Sequence, residues 1–330
     1  MAQTHELDVV IVGAGPAGLC AGMYAGRGML NAVVLERGVP GGELLNTELV
    51  EDYPGFESIL GVELAQKFAD HAMKFGADIR TGVGVSSVKK RPDGRFDTIT
   101  ENGDVYVSPA VIVTAGGTPV KLGIPGENEY AGKGVSYCAV CDGAFFRGHT
   151  IAVVGGGDAA VEEADYLTRY AQKVYVIHRR RELRASKILQ ERAFANPKIE
   201  FVWNTLVDRA VGDEQGLLHH LELHDSQTNA RRELAVTGLF IFVGFTPNST
   251  ILADHVDHDS MGYLITDWGM QTSVSGLFAA GDVRVQVTRQ VTTAVGDATT
   301  AAISAEKYLK ARADARAAAA TAPAGTVGAA

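Results

Sequence analysis

A chain of 330 residues is about twice the size of a common domain, so a single small module is excluded and two domains, or one interrupted by another, are expected. With 46% hydrophobic and 21% charged residues it can bury a sizeable core, which excludes disorder along its whole length. A formal charge of −9 speaks against a general attraction to nucleic acid or anionic membranes, though not against a local basic patch.

The start of the chain, Met1 to Asp8, has no basic run and contains Glu6 and Asp8, unlike a secretory signal or an acid-poor transit peptide, so a cytoplasmic location is expected. Residues 9–26 carry no charge over 18 positions, the length of a membrane span, but Gly13, Gly15, Pro16, Gly18, Gly22 and Gly26 interrupt them. Those glycines have a better explanation. Leu7–Val12 reads as a buried β-branched strand that runs into Gly13-Ala14-Gly15-Pro16-Ala17-Gly18 and then a helix over Leu19–Arg27. In such a turn Gly13 permits the tight bend, Gly15 lets a pyrophosphate approach the helix N-terminus, and Gly18 lets helix and strand pack closely. The next apolar strand, Ala32–Leu35, ends at Glu36, 23 residues after Gly13, where a carboxylate can accept hydrogen bonds from ribose hydroxyls. The spacing predicts a bound dinucleotide. Cys20 falls inside the first helix and reads as a packed small hydrophobe.

Cysteine usage, Cys20, Cys138 and Cys141 only, is too sparse for a secreted disulfide framework. Cys138 and Cys141 form a C-x-x-C, a spacing that allows a reducible disulfide, with Asp142 beside it able to deliver or accept a proton. Zinc is the competing reading, but it needs two further ligands and no second C-x-x-C exists, so no metal is expected.

The strand, glycine turn and helix then recur: Ile151–Val154, Gly155-Gly156-Gly157-Asp158-Ala159-Ala160, and a helical stretch Val161–Tyr170. The following strand, Lys173–Ile177, ends at His178, at the same 23-residue offset, but no acid stands there. Instead His178-Arg179-Arg180-Arg181, with Arg184 one helical turn further on, forms a basic run that can pair with a ribose 2′-phosphate, so NADPH is preferred to NADH. His220, Glu222 and His224 alternate along a strand near Leu217–Leu223 and read as its polar face. His255 and His258, among aspartates, read as surface residues.

Two dinucleotide fingerprints flank a C-x-x-C. With Gly41-Gly42-Glu43-Leu44, Tyr53-Pro54-Gly55-Phe56, Cys138 to Gly143, Val161-Glu162-Glu163-Ala164, His178 to Arg180 and Gly281-Asp282-Val283 in the same order, the chain resembles the low-molecular-weight thioredoxin reductase family of flavoproteins from about Leu7 to Leu309. The resemblance implies an α/β fold of two Rossmann-like nucleotide-binding domains, with an NADPH domain at 118–247, carrying the C-x-x-C, inserted into a discontinuous FAD domain at 1–117 and 248–315. Residues 316–330 are left as a disordered, Ala-rich tail without cysteine. Thr118-Pro119 and Gly244-Phe245-Thr246-Pro247 are the expected crossings.

By the same resemblance FAD would be held by Gly13, Gly15, Pro16, Ala17, Gly18, Glu36, Gly42, Glu43, Leu44, Asn46, Gly116, Gly281, Asp282, Arg289, Gln290 and Val291. NADPH would be held by Gly155, Gly157, Asp158, Ala159, Ala160, His178, Arg179, Arg180 and Arg184. Electrons would pass from NADPH through FAD to the Cys138–Cys141 disulfide and on to thioredoxin, with Cys141 nearest the flavin and Asp142 as the acid. The family also implies domain rotation about the crossings and a homodimer formed by the FAD domains. This chain departs from the family at Glu43, where Gln is common, at Thr114-Ala115-Gly116, at Thr288 and at Gly296-Asp297. Two alternatives are a related flavoprotein that uses ferredoxin or a small dithiol or disulfide, and a non-catalytic redox sensor. Loss of the arginines would signal ferredoxin, and Arg179, Arg180 and Arg184 are present.

Overall fold

Val9-Val10-Ile11-Val12 is buried along its whole length, as an apolar run at the centre of a parallel sheet should be. In the computed structural model, which describes residues 2–47 and 49–321 with the side chains of 253–255 and 319–321 excepted, this strand is the middle one of five. The order is 277–279, 110–113, 9–12, 32–35 and 78–80, all parallel. Helices follow in chain order as α1 (Pro16–Arg27), α2 (Gly61–Lys74), α3 (Ala139–Asp142), α4 (Asp158–Leu167), α5 (Lys187–Ala195) and α6 (Val291–Thr321). Among the described residues no helix is long and apolar enough to cross a membrane.

The chain divides into two units, Met1–Gly117 with Pro247–Ala330, and Thr118–Thr246. In the first unit the sheet's strand order reverses between 9–12 and 110–113, so Gly13 and Thr114 leave the carboxyl ends of neighbouring strands at a switch point, where open α/β sheets bind ligands. One face of that sheet is covered by α1 and α6, which meet through small residues: Ala21 and Ala25 share a buried core with Ala298, Ala301 and Ala305. The unit also holds a second sheet, of strands 4–6, 105–108, 96–100 and 85–90, and a two-stranded one of 49–50 with 59–60. Helix α6 runs through Thr321, so the tail expected to begin at 316 is helical for its first six positions. Alanine is the strongest helix former, and the Ala-rich run extends the helix where composition suggests fraying. Residues 322–330 lie outside the described residues.

The second unit repeats the plan with a parallel sheet ordered 135–136, 238–242, 150–155, 173–177 and 199–202, beside an antiparallel sheet of 205–212, 218–225 and 231–235. Here Gly155 and Phe242 end adjacent strands at the switch. The two crossings pair as a short ladder of Gly117–Pro119 with Phe245–Pro247. Both nucleotide helices begin earlier than their apolar periodicity indicates, at Pro16 and Asp158, because each starts directly from its glycine turn; α4 also ends at Leu167, short of Tyr170.

Candidate nucleotide sites and redox pair

The first turn is shaped by three glycines with different constraints. Gly13 has φ of 101° and its amide donates to the Leu35 carbonyl at 2.8 Å, while a Cβ there would lie 2.7 Å from the Thr114 carbonyl oxygen. At Gly18 a Cβ would fall 1.8 Å from the Gly13 oxygen, so close contact between helix and turn demands glycine. Gly15 is under no such pressure. A Cβ on it would meet only the Gly42 Cα, at 3.8 Å, and as the N-cap of α1 it offers no side chain to the first amides of the helix. Uncapped N–H groups facing open space, at the positive end of a helix, fit a pyrophosphate.

Glu36 lies beside this turn. Its Oε2 accepts the Ala14 amide at 2.7 Å and its Oε1 the Gly38 amide at 2.8 Å, which fixes the carboxylate while leaving lone pairs for hydroxyl donors. The Thr114 hydroxyl donates to the carbonyls of Val12 and Gly13, both at 2.9 Å, and Asn248 Nδ2 donates to the Ala115 carbonyl at 2.8 Å. These side chains hold the carboxyl ends of the strands in register. Neither is among the expected site residues: Thr114 is marked in the sequence only as a departure from the family, and Asn248 lies outside every motif.

Glu43, Leu44 and Asn46 lie on a short 3-10 turn over Gly42–Asn46, where Leu44 is buried in the core and Asn46 Nδ2 donates to Glu43 Oε2 at 3.2 Å. Asp282 lies on another such turn, Gly281–Val283, and accepts Gln286 Nε2 at 3.2 Å. Loss of hydration raises the carboxyl pKa of both. At Glu43, which keeps a solvent-exposed edge, the Asn46 hydrogen bond opposes the rise and the charge of Asp282 adds to it. At Asp282 the Arg289 charge and the Gln286 hydrogen bond oppose it, and Asp297 adds to it. Two carboxyl groups that repel each other suit a partner rich in hydroxyl donors, which is what a ribityl chain offers. Arg289 lies over the Tyr263 ring, 4.0 Å from its centroid, and Gln290 precedes α6, accepting the Ala294 amide at 3.0 Å, so Val291 opens the helix. At Gly116, with φ of 56°, a Cβ would meet nothing within 4 Å, and the carbonyl accepts the Asn248 amide at 3.0 Å.

In the second unit Gly155 packs tightly, a Cβ there lying 2.4 Å from both the Ala160 Cβ and the Phe242 oxygen. Gly157, the N-cap of α4, has nothing within 4 Å. This again leaves helix amides uncapped and approachable. Gly156, absent from the expected set, must be glycine because the His178 ring lies under it, 2.3 Å from where a Cβ would stand. His178 is buried, with Nε2 3.1 Å from the Glu182 carbonyl. Burial is the main cause that lowers its pKa; hydrogen bonds to the Glu182 and Gly155 carbonyls oppose this, and the charges of Arg180 and Arg184 lower it further. The ring therefore supports the turn from beneath. Arg179, Arg180, Arg181 and Arg184 are exposed, and among the described residues none of the four pairs with a carboxylate. Arg184 is not in a helix: its amide and that of Ala185 donate to the Gly156 carbonyl at 2.7 and 3.2 Å, and α5 begins only at Lys187. Asp158 Oδ1 takes the Ser186 amide at 2.6 Å, so the basic loop is tied at both ends to the glycine turn, next to Ala159 and Ala160 in α4.

Cys138 and Cys141 form a disulfide. Cys138 caps α3 and is half-buried, while Cys141 is exposed; the Cys141 amide points at Cys138 Sγ, 3.1 Å away. Asp142, half-buried, follows directly, its amide donating to the Cys138 carbonyl at 3.2 Å. Cys20, the remaining cysteine, is buried in the α1 core with Sγ 3.4 Å from the Val295 carbonyl, and burial raises its thiol pKa, against a hydrogen bond from Thr299 that lowers it. The alternating strand residues also find local partners: His224 Nδ1 lies 2.6 Å from Asp208 Oδ1 and His220 faces Glu233 at 3.9 Å. His258 is exposed, with Nδ1 3.0 Å from the Asp259 carbonyl, and the His255 side chain lies outside the described residues.

Residues 7–298 match the family of pyridine nucleotide-disulphide oxidoreductases. The chain belongs to that family. It is 46% identical over 311 residues to the thioredoxin reductase of Bacillus subtilis, covering 94% of this chain and 97% of that one, and 46% identical over 312 residues to the thioredoxin reductase of Listeria monocytogenes, covering 94% and 96%. Among solved structures, Lactococcus lactis thioredoxin reductase in its FR conformation matches with a TM-score of 0.90 at 44% identity, over 92% of this chain and 99% of that one. The chain is thus a low-molecular-weight thioredoxin reductase by family, with an α/β fold of two nucleotide-binding domains. FAD and a nicotinamide dinucleotide are the cofactors the family implies.

Proposed function

We propose that the chain is an NADPH-dependent thioredoxin-disulfide reductase, with FAD held at the first glycine turn, NADPH at the second, and Cys138 and Cys141 exchanging with the disulfide of thioredoxin. The observation that carries this reading is the Cys138–Cys141 disulfide, whose second cysteine is exposed, in the same unit as a glycine turn flanked by exposed arginines. When bound, the two cofactors supply the pair of electrons that opens that disulfide.

The remaining chemistry belongs to the protein. Amides at the start of α1 and α4 hold the pyrophosphates, Glu36 and Asp282 accept hydroxyl hydrogen bonds, and the arginine loop holds the 2′-phosphate. Once the cysteines are reduced, the exposed Cys141 thiolate attacks one sulfur of the substrate disulfide, giving a mixed disulfide and one substrate thiolate. Cys138 then attacks the Cys141 sulfur, re-forming the internal disulfide and releasing the second substrate thiolate. Asp142 supplies a proton to a leaving sulfur. We further propose that the protein works in the cytoplasm as a homodimer.

The test is NADPH oxidation by purified protein with thioredoxin, repeated with NADH. Sustained turnover with a preference for NADPH is expected; one stoichiometric reduction without turnover would instead make the chain a redox sensor.

A further inference from the structure

Glu127 is 1% exposed and lies in the second unit, between the first crossing and strand 135–136. Burying a carboxylate is expensive unless donors replace its water. Four do. Oε1 accepts the Leu122 amide at 2.9 Å and the Tyr137 hydroxyl at 2.6 Å, and Oε2 accepts the amides of Gly123 at 2.6 Å and Ile124 at 3.3 Å. Three of these donors lie three to five residues away and close a local turn. The fourth comes from ten residues along the chain, from the residue immediately before Cys138. Loss of hydration, then the hydrogen bond and charge of Glu127, raise the Tyr137 phenol well above its ordinary value, so it remains a neutral donor.

Tyr137 sits at the exit of strand 135–136. On one side of it, Ser136 Oγ accepts the Cys138 amide at 3.1 Å and donates to the Cys138 carbonyl at 3.2 Å. On the other, Cys138 caps α3 and faces the Cys141 amide. The Ser136 contacts fix the peptide of Cys138, and the Tyr137 side chain is the anchor that ties this short stretch to the body of the unit.

We propose that Glu127 and Tyr137 are positioning residues for the redox pair, their hydrogen bond holding Cys138 where its sulfur closes on Cys141. This rests on reading Cys138 and Cys141 as a redox couple. When the dithiol is oxidised by oxidised dithiothreitol, the two cysteine thiols give up two electrons and two protons as the S–S bond forms, and the reagent disulfide takes them up to become a dithiol. An anchored Cys138 presents a higher effective concentration of its sulfur to Cys141 and favours the closed form.

The experiment equilibrates the FAD-loaded full chain in dithiothreitol redox buffers, traps thiols by alkylation and counts them by mass spectrometry. Tyr137→Phe, which removes one oxygen from the protein, is expected to lower the equilibrium constant for disulfide formation roughly three- to tenfold, the scale of one lost hydrogen bond. Glu127→Gln, which takes the charge from the acceptor and sets an amide hydrogen against one pair of backbone donors, should shift it the same way, and the double variant should fall short of the sum, because both changes act on the one Tyr137–Glu127 contact. Tyr130→Phe, whose hydroxyl makes no hydrogen bond to Glu127, should match the parent. A Tyr137→Phe constant within twofold of the parent overturns the proposal, and this variant decides alone if Glu127→Gln does not fold. The measurement needs neither nicotinamide nor thioredoxin, so a parent that turns over NADPH while the variant constant stays put sinks only the positioning role. A parent without turnover sinks only the functional reading.

Discussion

Arg284 Nη1 and Asp297 Oδ2 pair at 3.1 Å, with side chains only 15% and 13% exposed, and the same Oδ2 accepts the Gly281 amide at 3.3 Å. Asp297 lies on α6, so one carboxylate ties the turn that carries Asp282 to the helix packed on α1. Removing one partner of a largely buried pair leaves an uncompensated charge, here Arg284, whose Nε would keep only the Thr266 hydroxyl at 2.9 Å. Asp297→Ala is expected to lose about 3 kcal/mol of stability and to retain less FAD through gel filtration, measured by denaturant unfolding and flavin absorbance. Unchanged unfolding would show that the turn holds without the pair.

Gly15 and Gly18 are two positions of one motif with opposite demands. Gly18→Ala places a Cβ 1.8 Å from a backbone oxygen and should prevent correct packing of α1, giving insoluble or unfolded protein. Gly15→Val should fold, since a side chain there meets almost nothing in the protein, yet bind FAD weakly because the new methyls occupy the approach of the pyrophosphate. Circular dichroism and flavin content together separate the two outcomes. A Gly15→Val protein with full flavin would place the pyrophosphate elsewhere.

This contrast also marks what the sequence could and could not tell. Strand, turn and helix are legible at both sites because β-branched runs and glycine spacing are local signals, as are the C-x-x-C and the basic loop. Gly156 and Glu127 are not, and Thr114 and Asp297 show only as departures from the family without a role, since their importance comes from partners outside their own motif: the His178 ring under Gly156, Tyr137 on Glu127, Arg284 on Asp297, and the Val12 and Gly13 carbonyls on Thr114. Spacing alone puts Arg184 one helical turn beyond the basic run, but two hydrogen bonds to the Gly156 carbonyl hold that segment as a loop. The tail illustrates the converse error, in which low complexity reads as disorder although alanine favours helix.

Asp282 and Glu43 make the FAD-free protein sensitive to acid in an unusual direction. Both carboxyl pKa values are raised on folding, so the folded state binds protons more readily than the unfolded chain. Their contribution to stability is fully present below the ordinary carboxylate pKa and is lost as pH rises through the raised folded values. Asp282→Asn and Glu43→Gln should therefore melt above the parent at pH 7.5 in the FAD-free form, with the difference shrinking at pH 4. Scanning calorimetry of flavin-stripped protein checks this, and equal gains at both pH values would remove the electrostatic explanation.

Arg179, Arg180 and Arg184, exposed in the basic loop of the second unit, should separate the two nicotinamide cofactors. Replacing Arg179, Arg180 or Arg184 with Ala removes one charged contact to a 2′-phosphate, about 1.5–3 kcal/mol, or roughly tenfold to a hundredfold in NADPH affinity. NADH, which lacks that phosphate, should bind each variant as it binds the parent. Fluorescence titration with both cofactors is the measurement. Equal losses for NADPH and NADH would assign the loop to structure instead of recognition.

The cysteines allow flavin chemistry and disulfide chemistry to be separated within one molecule. Cys138→Ser and Cys141→Ser remove neither glycine turn, so both proteins should bind FAD and still have it bleached by NADPH, followed at the flavin absorbance maximum. Neither should reduce thioredoxin catalytically, because re-forming the internal disulfide needs both sulfurs. Their remaining thiols should differ as their surroundings do: Cys141, exposed, should react with iodoacetamide faster in Cys138→Ser than the half-buried Cys138 does in Cys141→Ser. Asp142→Asn should slow thioredoxin turnover by roughly 10²–10⁴-fold, the range for losing a positioned acid, while leaving flavin reduction nearly intact. Thioredoxin turnover that survives either serine substitution would show that the disulfide is not on the electron path, and a Cys138 thiol that reacts faster than Cys141 would reverse the order of attack proposed for the pair.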